Sequence, residues 1–207
     1  MNTFRTQIVS SNPLDLFIQG FGSSPHGHDA NLVDRYFRDH SWRLHQFGFV
    51  RSYRVNEDGV DEAIGLFALS CGSLLLRGSS AAPLLKDPVL RQEFVYMDGT
   101  GEYAVAPTIH INYLALNRPF QGRIHPATGE RYSTMLMLQA FVKAAEVSTG
   151  LGAMFLELDA LDERAFRTYY RLGFRSEAGG LEDLEHIVFD AENDDLPKMM
   201  LPISRVR

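Results

Sequence analysis

The sequence predicts a mixed α/β protein folded as one domain, residues 1–207, and three observations carry that prediction. Met154–Leu158 is apolar apart from Glu157 and leads into a short helix and then Gly173, the order of a buried strand, a helix laid on a sheet and a glycine stop. Phe49–Val55 alternates as a strand and turns at Asn56-Glu57-Asp58-Gly59 into a returning strand, Ala63–Ser70. Thr108–Leu116 reads as a strong strand, and Tyr132–Val147 as a long helix with Met135, Leu136, Leu138, Gln139 and Val142 along it. Strands and helices interleaved in a chain of 207 residues fit one α/β core.

In chain order, Leu16–Phe21 is the expected first strand, and Ser23–His28 a loop. From Asp29 the spacing of Leu32, Val33, Tyr36 and Phe37 makes an amphipathic helix with Asp34, Arg35 and Arg38 between them. The hairpin just described follows. Ser79–Gly101, with Pro83, Pro88 and Gly99, reads as irregular. After Met154–Leu158, either Asp159 or Asp162 can cap the next helix by accepting a hydrogen bond from its free amides. Ala165, Tyr169 and Leu172 then share one helix face, and a new strand begins after Gly173. Glu192–Asp195 reads as a solvated hairpin loop. Lys198–Ile203 is the last strand, where Pro202 suits an edge or a strand end.

Composition limits the function classes. Hydrophobic residues are 45% and charged residues 22%, ordinary for a globular domain, and the net charge of −6 gives no field for nucleic acid. The single cysteine, Cys71, excludes a disulfide within the chain and reads as an inert packed thiol in a reducing, cytoplasmic protein. Met1–Thr6 lacks the apolar core of a signal peptide, and the apolar run Leu66–Leu76 is too short and polar to span a bilayer. His26, His28, His40 and His45 match no standard zinc spacing, so no metal is expected. Arg35, Arg38 and Arg43 could form a basic face, but Asp34 and Asp39 interleave with them, as on a solvated helix.

Ile111–Arg123 and Leu158–Phe174, in this order and spacing, resemble the GCN5-related N-acetyltransferases (the GNAT fold), and most closely the acetyltransferase toxins of bacterial toxin–antitoxin pairs. Asn31–Phe37, Arg51–Val55 and Met200–Ile203 add weaker matches, so the resemblance covers nearly the whole chain. It implies a mostly antiparallel mixed sheet with helices on both faces and a splayed central strand. It implies acetyl-CoA as co-substrate and an amine-bearing acceptor, whether tRNA-borne, protein or small molecule. An antitoxin partner and a homodimer come with the toxin relatives. The freed backbone of Leu114, Ala115 and Leu116 would pair with the pantetheine arm and hold the oxyanion.

The loop that follows would bind the pyrophosphate through Gln121, Gly122 and Arg123. Here the chain departs from the family's compact run, with Ile124–Ser133 lengthening the loop. Either Gly129 is the final glycine, with Arg131 and Ser133 near the phosphates, or the insertion fills the pyrophosphate site. Tyr169 aligns with the tyrosine that protonates the departing thiolate in many relatives, a task that suits a neutral phenol. Periodicity alone would make Tyr169 a core or rim aromatic. Tyr170, its neighbour on the same face, ranks second. His110, Asn112 and Glu157 are the candidates for a general base, against the common structural role of a strand histidine. The rival function is a non-catalytic binding module with a degenerate coenzyme A loop.

Overall fold

The structure is a computed structural model, and it describes residues 4–9, 20–23, 32–77, 103–190 and 195–206. The strands are β1 (Phe4–Ile8), β2 (Val50–Glu57), β3 (Ala63–Arg77), β4 (Tyr103–Leu116), β5 (Phe155–Asp159), β6 (Arg175–Ser176) and β7 (Lys198–Pro202). Their order in the sheet is β1-β2-β3-β4-β5-β7-β6. β1–β2, β2–β3, β5–β7 and β6–β7 pair antiparallel, and β4–β5 parallel. The expected mixed, mostly antiparallel α/β sheet is the observed one.

Contacts divide the chain into two compact units, Met1–Ser70 with Ile111–Ala144, and Cys71–His110 with Ala145–Arg207. The first unit holds helix α1, built from an α-helical turn Leu32–Arg35, a π-helical turn Tyr36–His40 and an α-helical segment Ser41–Gln46. The π turn frees a carbonyl, and the Ser41 hydroxyl donates to that of Phe37 at 2.9 Å. Tyr36 and Phe37 enter a core cluster with Phe21, Val50, Leu66 and Ala115. Leu32, expected on the apolar face, is exposed because the helix begins there. Tyr36 stacks on Tyr113 with ring centroids 3.8 Å apart, and its buried hydroxyl has no hydrogen-bond partner among the described residues.

The N-terminal half of β3 is buried on both faces, from Ala63 to Leu69, and Gly65 lets its neighbours close in. A Cβ at Gly65 would meet Leu136 at 2.5 Å and the Ala115 carbonyl oxygen at 2.7 Å. Helix α2 (Tyr132–Leu151) buries Leu136, Met137, Ala140, Phe141 and Ala144 and exposes Leu138 and Val142. The buried stripe is thus set by small and aromatic residues rather than by the leucines alone.

The second unit holds α3 (Glu163–Arg171), whose apolar anchor is Phe166. Asp162, not Asp159, is the cap: its carboxylate accepts from the Ala165 amide at 2.7 Å. Phe155, Leu156, Leu158, Phe174, Met199, Met200 and Leu201 are buried apolar residues of β5, β7 and the turn at Gly173.

Several expectations change. The first described strand is Phe4–Ile8, in a stretch that the sequence marks only by what it lacks. The strand expected over Leu16–Phe21 falls largely outside the described residues, and Gly20 and Phe21 are not extended in a ladder. Ser24–His28, Ser79–Gly101 and residues 192–194 also lie outside them. Asn56 is a strand residue rather than a turn residue. Its side-chain amide donates to the carbonyls of Val60, Asp61 and Glu62 and so closes the turn from the strand end. Cys71 is exposed rather than packed. Among the described residues no helix is long and apolar enough to cross a membrane.

Two predictions follow from this packing. Gly65→Ala should lower unfolding free energy by about 1–3 kcal/mol, because backbone oxygen cannot move aside as a side chain can. Denaturant titration would read this, and an unchanged midpoint would refute the close approach. Tyr36→Phe should be neutral or stabilising by about 1 kcal/mol, since it removes a buried hydroxyl that nothing satisfies. A lowered melting temperature would mean that the hydroxyl has a partner.

Candidate active site

The parallel ladder between β4 and β5 covers three pairs, Thr108–Phe155, Ile109–Leu156 and His110–Glu157, and ends there. β4 continues to Leu116 in the first unit, so the backbone of Leu114, Ala115 and Leu116 lies past the last of these pairs. Leu114 and Leu116 are half-buried and Ala115 is buried. The strand end is tied down by two side-chain amides. Asn117 donates to the Ala63 carbonyl at 2.9 Å and accepts from the Gly22 amide at 3.2 Å. Gln121 donates to the carbonyls of Ser23 at 2.6 Å and Leu116 at 3.0 Å. The Asp34 carboxylate, buried, accepts from both the amide and the hydroxyl of Ser23. The side-chain amide nitrogen of Gln121 is therefore engaged with the protein itself.

The lengthened loop is a closed structure centred on His125, a residue that the sequence reading passed over. His125 is wholly buried. Its amide donates to the Glu130 carbonyl at 2.7 Å, and its carbonyl accepts from the Gly129 amide at 2.9 Å. Its Nδ1 accepts from the Thr128 amide at 3.2 Å. The neutral ring then carries its proton on Nε2, which faces Glu57 Oε1 at 3.3 Å. Phe4 and Tyr132 meet the ring edge-on. Ile124 bridges to Arg131, and the glycines at 122 and 129 adopt φ of 70° and 74°. The signal was present in His125-Pro126-Ala127-Thr128-Gly129, a proline-initiated turn with a hydroxyl and a glycine to close it.

Most loop amides are used inside this structure: those of Gln121, Arg123, His125, Thr128, Gly129, Glu130 and Tyr132 all have protein acceptors. Ser133 and Thr134 sit in the first turn of the 20-residue helix α2, where amides have no intrahelical acceptor. Gly122, Arg123, Gly129, Arg131 and Ser133 are exposed around them. Every cofactor candidate thus belongs to the first unit, and the catalytic candidate, Tyr169, to the second.

Tyr169 is half-buried near the end of α3, with its ring 5.9 Å from that of Phe174. Burial raises its phenol above the ordinary tyrosine value, and the Asp162 carboxylate adds to the rise. Tyr170 has different neighbours: it stacks on Phe166 and lies under the Arg175 guanidinium at 4.4 Å. Adjacent helical residues point about 100° apart, so the two tyrosines do not share a face as expected.

The three general-base candidates also differ. Asn112 accepts from the Ser70 hydroxyl at 2.7 Å. Glu157 is buried and ion-paired to Lys198 Nζ at 2.6 Å. Desolvation pulls the Lys198 ammonium down, but the hydrogen bond to Glu157 and the charges of Glu157, Asp159 and Glu177 outweigh it and raise it. Glu177 is pushed up by burial and by Glu157, against Lys198. His110 Nε2 lies 3.3 Å from Asp159 Oδ2.

No family model and no curated protein matches the sequence. Solved structures do match, over almost the full length of both chains. The toxin AtaT complexed with acetyl-methionyl-tRNAfMet aligns with TM-score 0.63 at 18% identity, over 99% of this chain and 97% of that one. A tyrosine-to-phenylalanine mutant of KacT aligns with TM-score 0.61 at 19% identity, over 98% and 96%. An AtaT mutant bound to the C-terminus of the antitoxin AtaR and acetyl-CoA aligns with TM-score 0.57 at 17% identity, over 99% and 96%. The chain therefore has the GNAT fold of these toxins, as the sequence resemblance implied.

The Tyr169 environment makes a pH prediction. In the unfolded chain its phenol titrates at the ordinary tyrosine value of about 10, and in the folded chain it titrates higher. The unfolded state thus loses its proton first, so the stability present below that pH declines as pH rises through the folded value. Urea titrations from about pH 9 to about pH 11 should show a smaller alkaline loss in Tyr169→Phe than in wild type. Equal losses would show that the phenol is not buried.

Proposed function

We propose that the chain is an acetyl-CoA-dependent N-acetyltransferase acting by direct transfer to a primary amine. The observation that carries this reading is the early end of the β4–β5 ladder at His110–Glu157, followed by a continuing strand. Backbone groups past that point are suited to a ligand that pairs like a strand. In this reading the backbone of Leu114–Leu116 holds the pantetheine arm, and one of its amides stabilises the oxyanion. The amides of Ser133 and Thr134, with Arg123 and Arg131, meet the pyrophosphate at the head of α2. Tyr169, kept neutral by burial, gives its proton to the leaving thiolate. Solved structures of the same fold carry acetyl-CoA, an acetylated aminoacyl-tRNA and an antitoxin. Those support acetyl-CoA as co-substrate, and a toxin with an aminoacyl-tRNA acceptor as its narrower form. A net charge of −6 weighs against a large phosphate footprint, which leaves protein or small-molecule amines as the competing acceptors.

One observation favours a second reading, a non-catalytic binding module: the amides of His125, Thr128, Gly129, Glu130 and Tyr132 are bonded within the lengthened loop, and those of Gln121 and Arg123 to the turn before it. Calorimetry with acetyl-CoA separates the two, since a module with a degenerate loop releases no heat and gains no thermal stability at millimolar ligand. For the enzyme, labelled acetyl-CoA added with the protein to a cell extract should mark one fraction, whether tRNA, protein or small amine. Tyr169→Phe should lower that rate by about 10²-fold or more while leaving acetyl-CoA binding intact. An undiminished rate would remove the role given to Tyr169.

A further inference from the structure

We propose that His125 is a proton-operated latch on the lengthened loop: the neutral ring holds residues 121–131 closed, and uptake of a proton at Nδ1 releases them. The ring is wholly buried, so both of its nitrogens meet protein groups. Nδ1 accepts from the Thr128 amide at 3.2 Å, inside the turn that the Gly129 amide closes onto the His125 carbonyl at 2.9 Å. Nε2 faces Glu57 Oε1 at 3.3 Å. These two partners favour opposite charge states. A carboxylate stabilises an imidazolium, whereas a backbone N–H can only donate and so excludes a proton from the nitrogen it bonds. The Thr128 hydroxyl, 3.1 Å from Nδ1, can turn and accept from a protonated ring. The Thr128 amide, fixed in its peptide plane, cannot. Proton uptake therefore expels the amide while it strengthens the pair with Glu57.

The surroundings of the ring come from three elements and the loop itself. β2 supplies the Glu57 carboxylate, and β1 supplies the uncharged ring of Phe4. α2 supplies Tyr132, whose phenol is held above the ordinary tyrosine value by burial and by Glu57, against the pull of Arg123. Arg123, Glu130 and Arg131 on the loop are exposed to solvent, which screens their charge. The buried imidazole thus meets a carboxylate at close range and a neutral phenol.

Thr128 is also where the rest of the loop is fastened. Its hydroxyl accepts from the Glu130 amide at 3.3 Å, and the Glu130 carbonyl accepts from the His125 amide at 2.7 Å. The bridge between Ile124 and Arg131 follows, and α2 begins at Tyr132. A displaced Thr128 loosens this chain of bonds. In the acetyltransferase reading the loop leads to the phosphate-facing amides of Ser133 and Thr134, so its release lowers acetyl-CoA affinity. That consequence rests on the acetyltransferase reading; the latch does not.

The experiment follows ligand-free wild type, His125→Asn and Glu57→Gln by imidazole nitrogen spectra and amide hydrogen exchange. It runs from about pH 8 to about pH 5, the span in which an unperturbed histidine changes charge. At the upper end the ring should be the Nε2–H tautomer. On acidification the protection factors of Thr128, Gly129 and Glu130 should fall about tenfold. Those of Ala140 and Ala144, buried in α2, should hold, which separates a local opening from acid unfolding. Asparagine keeps an acceptor near the position of Nδ1 and does not titrate, so His125→Asn should lose the pH dependence. Glu57→Gln should move the opening to lower pH, because the charged ring loses its carboxylate. A ring that charges while the Thr128 amide keeps its protection would overturn the latch, as would a ring that stays neutral throughout. If His125→Asn fails to fold, an unmoved opening in Glu57→Gln overturns it. Calorimetry over the same span should show acetyl-CoA affinity falling with the opening in wild type and level in His125→Asn. A level affinity in wild type, with the loop opening, would overturn the link to coenzyme and support the latch alone. A protein that binds no acetyl-CoA at either end overturns the acetyltransferase reading, while the exchange data still decide the latch.

Discussion

A buried strand must place every amide and carbonyl, and in this protein β4 meets that demand by unusual means. Its parallel ladder with β5 stops after three pairs, at His110 and Glu157. At its far end, side chains take over the work of a ladder. Asn117 bonds the Ala63 carbonyl, and Gln121 bonds the Leu116 carbonyl. Between these fixed points lies Leu114–Leu116, past the last β4–β5 pair. An unpaired polar backbone group costs too much to be left dry.

The lengthened loop answers a related problem. The eleven residues 121–131, without a helix or strand, would leave many polar groups to satisfy. His125 solves this by entering the core and bonding on four sides, through its amide, its carbonyl and both ring nitrogens. The result is a loop closed by its own hydrogen bonds up to the start of α2. Length here does not mean looseness.

Much of this was legible in the sequence where one local rule decides the outcome. The buried strand at Met154–Leu158, the stop at Gly173 and the helix between them needed only periodicity and capping, and Asp162 rather than Asp159 proved to be the cap. The hairpin of β2 and β3 was equally plain. What stayed hidden depends on distant partners. Phe4–Ile8 is a strand because β2 supplies its ladder, not because its residues demand it. Asn56 looked like a turn residue because its role, bonding three carbonyls from outside the turn, has no local signature. For the candidate site, neighbouring tyrosines were separable only once Phe166, Phe174 and Arg175 had positions. Glu157 and Asn112 were separable for the same reason, once Lys198 and Ser70 had positions as their partners.

Two of the walls around His125, Phe4 and Glu57, lie well upstream of the ring they enclose, while Tyr132 follows it. During synthesis the N-terminal segments emerge first. By the time His125 is added, the ring and the carboxylate that receive it already exist, and the first hairpin can form on its own local contacts. The loop can therefore close onto a prepared seat instead of searching for one. The order in which the polypeptide is made is, in that sense, part of how its most elaborate turn reaches its final shape.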